Sequence, residues 1–279
     1  MILSDFDLIK KIIYERAAIT LESGKEYLIE SRLLPLSREE GFPTLDAFMQ
    51  SIREKPSPLL FDKIVDAMTT NETLFFRDVH PFEVLRTTIL PELIEKRSAE
   101  KKLTIWCAAS SSGQEAYSVA MIIKEHFPQL ARWKLTFLAS DISDAMLSRC
   151  RAGIYSQFEI NRGLPLTYLA KYFNEISGMW HIDDSIKKMV ELHKVNLAGQ
   201  WPVLPKVDIL LMRNVLIYFD VPTKQIMLKK ARDILQKDGY LFLGGAETTL
   251  NLDDQYERVV MGRSTCYRQK QSNTDQEIG

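Results

Sequence analysis

The chain has 279 residues, 46% of them hydrophobic, and a formal charge of −1; this suffices for one large α/β domain and a smaller one, and the near-neutral balance gives no support to bulk binding of nucleic acid or an anionic membrane, leaving only local basic patches. Three cysteines, Cys107, Cys150 and Cys266, are odd in number and lack CxxC spacing, so neither a disulfide framework nor a metal site is indicated. The first residues are acidic where a signal peptide needs basic ones, and no apolar run approaches the ~18 residues that cross a bilayer, so a cytoplasmic location without membrane insertion is expected.

The first 76 residues read as a helical unit. Phe6, Leu8, Ile9, Ile12, Ile13 and Tyr14 recur at helical spacing between Asp5 and Ile19, with Ser4 placed as N-cap. A second helix is expected from Lys25 to Glu40, kinked or divided at Pro35. A third runs from Phe42-Pro43-Thr44 to about Arg53, and a fourth from Leu59 to Met68. Lys25 and Arg32 share a face of the second helix; they form either a solvated surface or a docking face for an acidic partner helix. The unit carries nine basic against thirteen acidic residues, so any docking must be local.

Thr69 to Asp78, TTNETLFFRD, mixes short hydrogen-bonding groups with a Phe pair and an Arg, as in a lid or pocket wall. A helix from His80 to Lys96 follows, bent at Pro91. Leu103 to Cys107 is a short apolar run suited to a strand covered on both faces. The turn Ala108 to Gly113 has no side chain larger than Ser, so backbone can approach a ligand closely, and it opens a helix whose free N–H groups face the same point. An ordinary strand-to-helix connection with a Ser as N-cap is the alternative reading of this turn, and Glu115 stands in the first helical turn, where the dipole favours a carboxylate.

Leu135 to Ser140 is a second apolar strand ending in Asp141, at the position where doubly wound sheets catch a ribose hydroxyl pair. Ser143 and Asp144 are better placed than Asp141 to cap the next helix. Residues 155 to 195 read as an inserted antiparallel subdomain, with Asn196-Leu197 after it. Val207 to Met212 is the next buried strand, and Arg213-Asn214 and Tyr218 follow at its C-terminal end. Pro222 to Gln236 is helical, Lys237-Asp238-Gly239 its exit turn, Tyr240 to Gly244 a strand, and residues 256–260 with 264–268 a hairpin before a polar tail expected to be disordered.

Ser110 to Glu115, Asp141, Asn196 and Arg213-Asn214 therefore fall at strand ends on one edge of one sheet. A nicotinamide site needs GxGxxG, and this turn has one Gly. A serine hydrolase needs GxSxG with a placed His and acid, which are missing. The ordered segments YLIESRL, TTNETLFFRD, WCAASSSGQEAYSVAM, ASDIS, KVNL, RNVLIYFD and GYLFLGGAE together resemble the CheR-type chemotaxis receptor glutamate O-methyltransferases. The resemblance implies an α/β, Rossmann-like S-adenosylmethionine-dependent methyltransferase sheet at 77–279, a small all-α N-terminal domain at 1–76, and the inserted antiparallel β subdomain.

It implies cofactor contacts at Asn71, Thr73, Arg77, Glu115, Asp141, Asn196, Leu197, Arg213 and Asn214, with Arg77 and Tyr218 nearest the transferred methyl. Lys25 and Arg32 become the candidates for docking the cytoplasmic helical domain of a membrane chemoreceptor, and the product is S-adenosylhomocysteine. The family turn usually reads Gly-Glu-Glu-Pro-Tyr; here it is Gly113-Gln114-Glu115-Ala116-Tyr117, which retains the acid. Some members tether a receptor pentapeptide through a Gly-bearing loop of the inserted subdomain. Residues 173–180 are short with one Gly, so tether independence is expected. A base-modifying methyltransferase would show Asn/Asp-Pro-Pro-aromatic where this chain has Arg213-Asn214-Val215-Leu216-Ile217-Tyr218, and a non-catalytic cofactor-binding scaffold would have no need of Arg77 and Tyr218.

Overall fold

The structure is a computed structural model and describes residues 3–22 and 24–270. Four helices open the chain: α1 (Leu3–Ala17), α2 (Glu26–Glu39), α3 (Leu45–Glu54) and α4 (Pro58–Met68). Their apolar faces close a core of their own around Ile9, Ile13, Ile29, Leu33, Phe48 and Ile64. The first helix begins at Leu3, so Ser4 lies inside it, and it ends one residue before Ala18, which adopts a left-handed φ of 55°. Pro35 does not divide α2. It sits on the exposed face with Ser31 one turn earlier, also exposed, so the carbonyl that loses its partner meets water while buried Leu33 and Leu36 hold the helix in place.

The segment after the linker is one helical rod of three parts: α5 (His80–Val84), a π-helical turn over Leu85–Ile89, and α6 (Leu90–Lys96). Pro91 follows this wider turn, whose π register relieves the clash of the ring with the preceding turn. Then come β1 (Lys102–Ala108), α7 (Gln114–His126), β2 (Lys134–Asp141) and α8 (Asp144–Ala152), the last capped by Ser143 as expected. The insertion contains β3 (Ile154–Tyr155), α9 (Gln157–Asn161), α10 (Leu166–Tyr172), β4 (Phe173–Ile176), β5 (Met179–Ile182) and α11 (Asp184–Lys187). After the insertion the chain continues through β6 (Glu191–Lys194), β7 (Val207–Leu211), α12 (Val221–Ile234), β8 (Leu235–Phe242), β9 (Tyr256–Met261) and β10 (Ser264–Gln269).

Seven strands form the main sheet in the order β6-β2-β1-β7-β8-β10-β9, and β3-β5-β4 form the small antiparallel sheet. β6, β2, β1, β7 and β8 are parallel, and β10 joins antiparallel. Because side chains alternate along a strand, Ile105, Cys107 and Phe137 enter one core with α7 and the insertion, while Trp106, Ala108 and Leu138 enter the other with α12. The strand order reverses beside β1, where an open α/β sheet leaves a crevice at its C-terminal ends.

Two expectations are corrected. Residues 191–194 alternate like a strand of the insertion but pair with the β2 edge, so the inserted sheet ends at Ile182; period-two alternation does not say which sheet a strand joins. Lys237-Asp238-Gly239 is not an exit turn but lies within β8, at a register irregularity opposite Val207 and Ile209. A Cβ on Gly239 would lie 3.0 Å from the Asp208 and Val207 carbonyl oxygens, so glycine permits the close approach. At this end Arg97 joins Asp208 (2.9 Å) and Asp238 (2.5 Å), while Asp208 also accepts the Thr104 N–H (2.8 Å). Residues 271–279, expected to be disordered, lie outside the described residues.

The helical unit is tied to the crevice. Ile19 bridges Phe219, Thr20 N–H donates to the Tyr218 carbonyl (2.9 Å), and Tyr14 donates to Asp220 (2.8 Å). One wall of the cleft is therefore helical and the other is the sheet edge.

Candidate active site

The turn after β1 is built from backbone conformations that side chains disfavour. Ala109, Ser111 and Gly113 have φ of 56°, 50° and 95°, the left-handed region in which strain collects at ligand sites. Gly113 is required: a Cβ there would lie 2.4 Å from Cys150 Sγ. It also precedes α7 with no side-chain cap, so the alternative of an ordinary connection capped by a Ser does not hold, and the first helix N–H groups have no serine partner. Tyr155 of the insertion donates to the Ser112 carbonyl (2.8 Å), and Ser111 Oγ to the Asn71 carbonyl (2.7 Å). The turn is thus held by both the insertion and the linker.

Asp141 ends β2 beside this turn. Its two oxygens accept the Ser111 N–H (2.8 Å) and the Ser143 N–H (2.9 Å). Burial raises its pKa above the ordinary carboxylate value, and these backbone donors oppose that rise.

Arg213, after β7, has a side chain only 1% exposed and reaches two acids. Nη1 donates to Glu115 (2.6 Å) and Nη2 to Asp78 (2.6 Å), and Nη2 also to the Arg77 carbonyl (2.9 Å). The guanidinium lies over Phe82, 5.6 Å from the ring centre. Burial raises the pKa of Glu115, and the charge and hydrogen bond of Arg213 pull it back. Arg213 Nε is buried without a hydrogen-bond partner among the described residues.

All twelve residues singled out from the sequence line this one cleft. Their environments differ. Arg77 makes no ion pair among the described residues and donates once, to the Glu72 carbonyl (3.1 Å). Thr73 and Leu197 contribute wall, and Tyr218 sits in a 3-10 turn over Leu216–Tyr218. Asn71 Nδ2 donates to Thr69 (3.1 Å). Asn196 donates to the Arg16 carbonyl (2.7 Å) and accepts from Ala198 N–H (3.0 Å), joining α1 to the sheet edge.

Lys25 pairs with Glu22 (2.8 Å). Arg32 donates to the carbonyls of Met68 (2.6 Å) and Thr69 (3.1 Å) and to Thr70 Oγ1 (3.1 Å), so its guanidinium finishes the end of α4 and fixes the start of the linker. Sequence reading did not select Asp78, although it adjoins Arg77, nor Glu247, whose carboxylate accepts backbone N–H groups around Asn214. Helix–loop sequence patterns carry no signal for such contacts.

The cofactor implied by the resemblance fits these residues. The cleft is lined by the helical unit, the linker and the C-terminal sheet edge, the concave setting in which small ligands bind. A buried acid at the end of β2 suits a ribose diol, and the small turn suits close approach. The partnerless Arg213 Nε in the wall, with Glu115 beside it, offers both charge signs to an amino-acid moiety. Among the described residues no group of His, Cys, Asp and Glu is arranged to hold a metal, and no helix is long and apolar enough to cross a membrane.

Residues 71–265 match the family described as CheR methyltransferase, SAM binding domain, and residues 4–69 its all-alpha domain. The chain is 40% identical over 271 residues to chemotaxis protein methyltransferase 1 of Pseudomonas aeruginosa, covering 96% of this chain and 98% of the relative. It is 38% identical to chemotaxis protein methyltransferase Cher2 of Pseudomonas putida (95% and 98% covered) and 36% identical to the chemotaxis protein methyltransferase of Vibrio parahaemolyticus (93% and 94% covered). With a SAM-binding domain on the seven-stranded sheet, an all-α domain closing its cleft, and relatives matched nearly end to end, the chain belongs to the CheR methyltransferase family.

Proposed function

We propose that the protein is a protein-glutamate O-methyltransferase that esterifies glutamate side chains on the cytoplasmic helical domain of membrane chemoreceptors, for adaptation in chemotaxis. The single observation that carries this reading is that the cleft of a SAM-binding domain is lined by both Tyr218 and Arg77, an arginine with no ion pair among the described residues. When bound, S-adenosylmethionine supplies an electrophilic methyl group and leaves as S-adenosylhomocysteine.

The chain's own residues then have limited tasks. Asp141 holds the ribose, Glu115 and Arg213 the amino-acid moiety, and Asn71, Thr73, Asn196, Leu197 and Asn214 line the remaining surface. Arg77 orients the incoming carboxylate by charge-assisted hydrogen bonds, and Tyr218 fixes its angle. Glutamate has a reference pKa of about 4.3 and arrives ionised, so no base is needed. No histidine lines the cleft among the described residues. Orientation is the principal contribution, and in favourable cases it supplies on the order of 7–11 kcal/mol.

This predicts the pH profile. Glu115, raised by burial, takes up a proton before an exposed carboxylate does as pH falls, and then loses its pairing with Arg213. The single-turnover rate should fall on the acid side and be flat from about pH 7 to 9. A rate still climbing through pH 7, as a histidine base of pKa about 6.5 would give, contradicts the assignment.

Lys25 and Arg32 are placed on the docking side of this reading. The 46% exposed Lys25 is the more available of the two, since Arg32 is committed to the end of α4. We also propose independence from a pentapeptide tether. The β4–β5 hairpin is closed by Ser177-Gly178 alone, with φ of 53° and 79°, a tight two-residue turn that leaves little loop to grip a peptide. Calorimetric titration with the isolated receptor pentapeptide should show no micromolar binding; micromolar affinity would overturn independence. The reaction itself is tested by peptide mapping of receptor membranes after incubation with the cofactor. The reading requires methyl groups on glutamate side chains and fails if they lie on other residues.

A further inference from the structure

Glu247 lies outside every candidate drawn from the sequence, yet one of its oxygens touches both the end of β8 and the loop after β7. Oε2 accepts the backbone N–H of Asn214 (2.8 Å) and of Gly244 (2.6 Å), and Oε1 accepts the N–H of Ile217 (3.3 Å). Three backbone donors from two segments therefore converge on one carboxylate. Hydrogen bonds to an ionised acceptor are about twice as strong as neutral ones.

The loop needs such an anchor. Asn214 has a left-handed φ of 57°, a conformation non-glycine residues adopt only where surroundings hold them. Its neighbour at the end of β8 leaves no slack: a Cβ on Gly244 would lie 2.5 Å from Asn214 Nδ2 and 2.8 Å from Asn214 N. Asn214 stands at one end of the loop among the cofactor-facing residues, and Ile217 at the other, directly before Tyr218. The carboxylate spans the whole interval.

We propose that Glu247 is a positioning residue for methyl transfer: by holding the N–H groups of Asn214 and Ile217 it fixes the loop that presents Asn214 to the cofactor and Tyr218 to the incoming carboxylate. This rests on the methyl-transfer reading given above.

Glu247→Gln keeps the shape but turns an N–H₂ toward a backbone N–H, and Glu247→Asp keeps the charge but withdraws it by one methylene. Hydrogen exchange of the full-length protein followed by mass spectrometry should show the peptide spanning 213–218 exchanging about tenfold to a hundredfold faster in Glu247→Gln, the factor for losing a hydrogen bond to a charged group, with the strands β1 and β2 unchanged. At saturating cofactor, kcat should fall by about tenfold or more while KM for receptor moves little, and Glu247→Asp should recover part of both effects. In a Tyr218→Phe background the Glu247→Gln effect on kcat should shrink, because both changes remove the same positioning. Unchanged exchange at 213–218, faster exchange with unaltered kcat, or additive effects with Tyr218→Phe would each overturn the proposal. Wild-type protein that leaves receptors unmethylated would instead sink the proposed reaction; the exchange measurement then decides by itself whether Glu247 orders the loop.

Discussion

Arg213→Ala is expected to lose cofactor affinity by at least about a hundredfold and to lower the melting temperature by roughly 10 °C. The reason is electrostatic. Arg213 is 1% exposed and sits between Glu115 and Asp78 at 2.6 Å each. Truncation leaves Glu115 buried and uncompensated, a change that typically costs about 3–5 kcal/mol, and a chain of this size shifts by about 2–4 °C per kcal/mol. Arg213→Lys cannot restore the arrangement, because a lysine ammonium lacks the planar fork that meets two carboxylates and the Arg77 carbonyl together.

The pH dependence of this variant has a defined sign. Burial raises the folded-state pKa of Glu115, so the folded state binds its proton more readily than the unfolded chain, and stability falls as pH rises from the unfolded value through the folded one. Removing Arg213 takes away the opposing charge and widens that window. The difference in melting temperature between wild type and Arg213→Ala should therefore shrink as pH is lowered toward 5, where Glu115 is increasingly neutral in the variant. A constant difference across pH 5 to 8 would show that Glu115 is not the group left behind.

Arg77→Ala is expected to lose most methyl transfer while the protein remains folded. Its guanidinium makes one hydrogen bond within the protein and no ion pair among the described residues, so truncation leaves no buried charge unpaired. What is lost is the orienting contact to the incoming carboxylate. A hydrogen bond to a charged group is worth about 1.5–3 kcal/mol, which corresponds to a rate loss of roughly 10–150-fold, and a bidentate contact more. Stopped-time assays at saturating cofactor should place the loss chiefly in kcat, with the melting temperature within a few degrees of wild type. An unchanged rate would remove Arg77 from the mechanism.

These two arginines illustrate what the sequence makes legible. Apolar runs such as those of β1, β2 and β7 announce buried parallel strands, and once they are placed in one sheet, Glu115, Asp141, Asn196 and Arg213 must meet at its C-terminal edge. Arg77 and Tyr218 come from farther away and emerge only because whole segments resemble a known family. The residues that hold the site in shape were less visible. Glu247 acts on backbone N–H groups some thirty residues earlier, and Arg32 on the carbonyls ending α4; neither contact leaves a period or spacing to detect. The division that Pro35 suggests is absent from α2, because a helix absorbs a proline where the carbonyl it deprives faces water. The strand at 191–194 was assigned to the wrong sheet because alternation reports a half-buried strand and not its neighbour.

Chemical identity of the product tests the central claim most directly. Receptor-bearing membranes are incubated with the protein and S-adenosylmethionine labelled in its methyl group, washed, and treated with alkali. Carboxyl methyl esters hydrolyse to volatile methanol, whereas methyl groups on nitrogen stay with the protein. Recovery of nearly all incorporated label as volatile methanol is the predicted result; label that remains in the membrane fraction after alkali would contradict glutamate esterification.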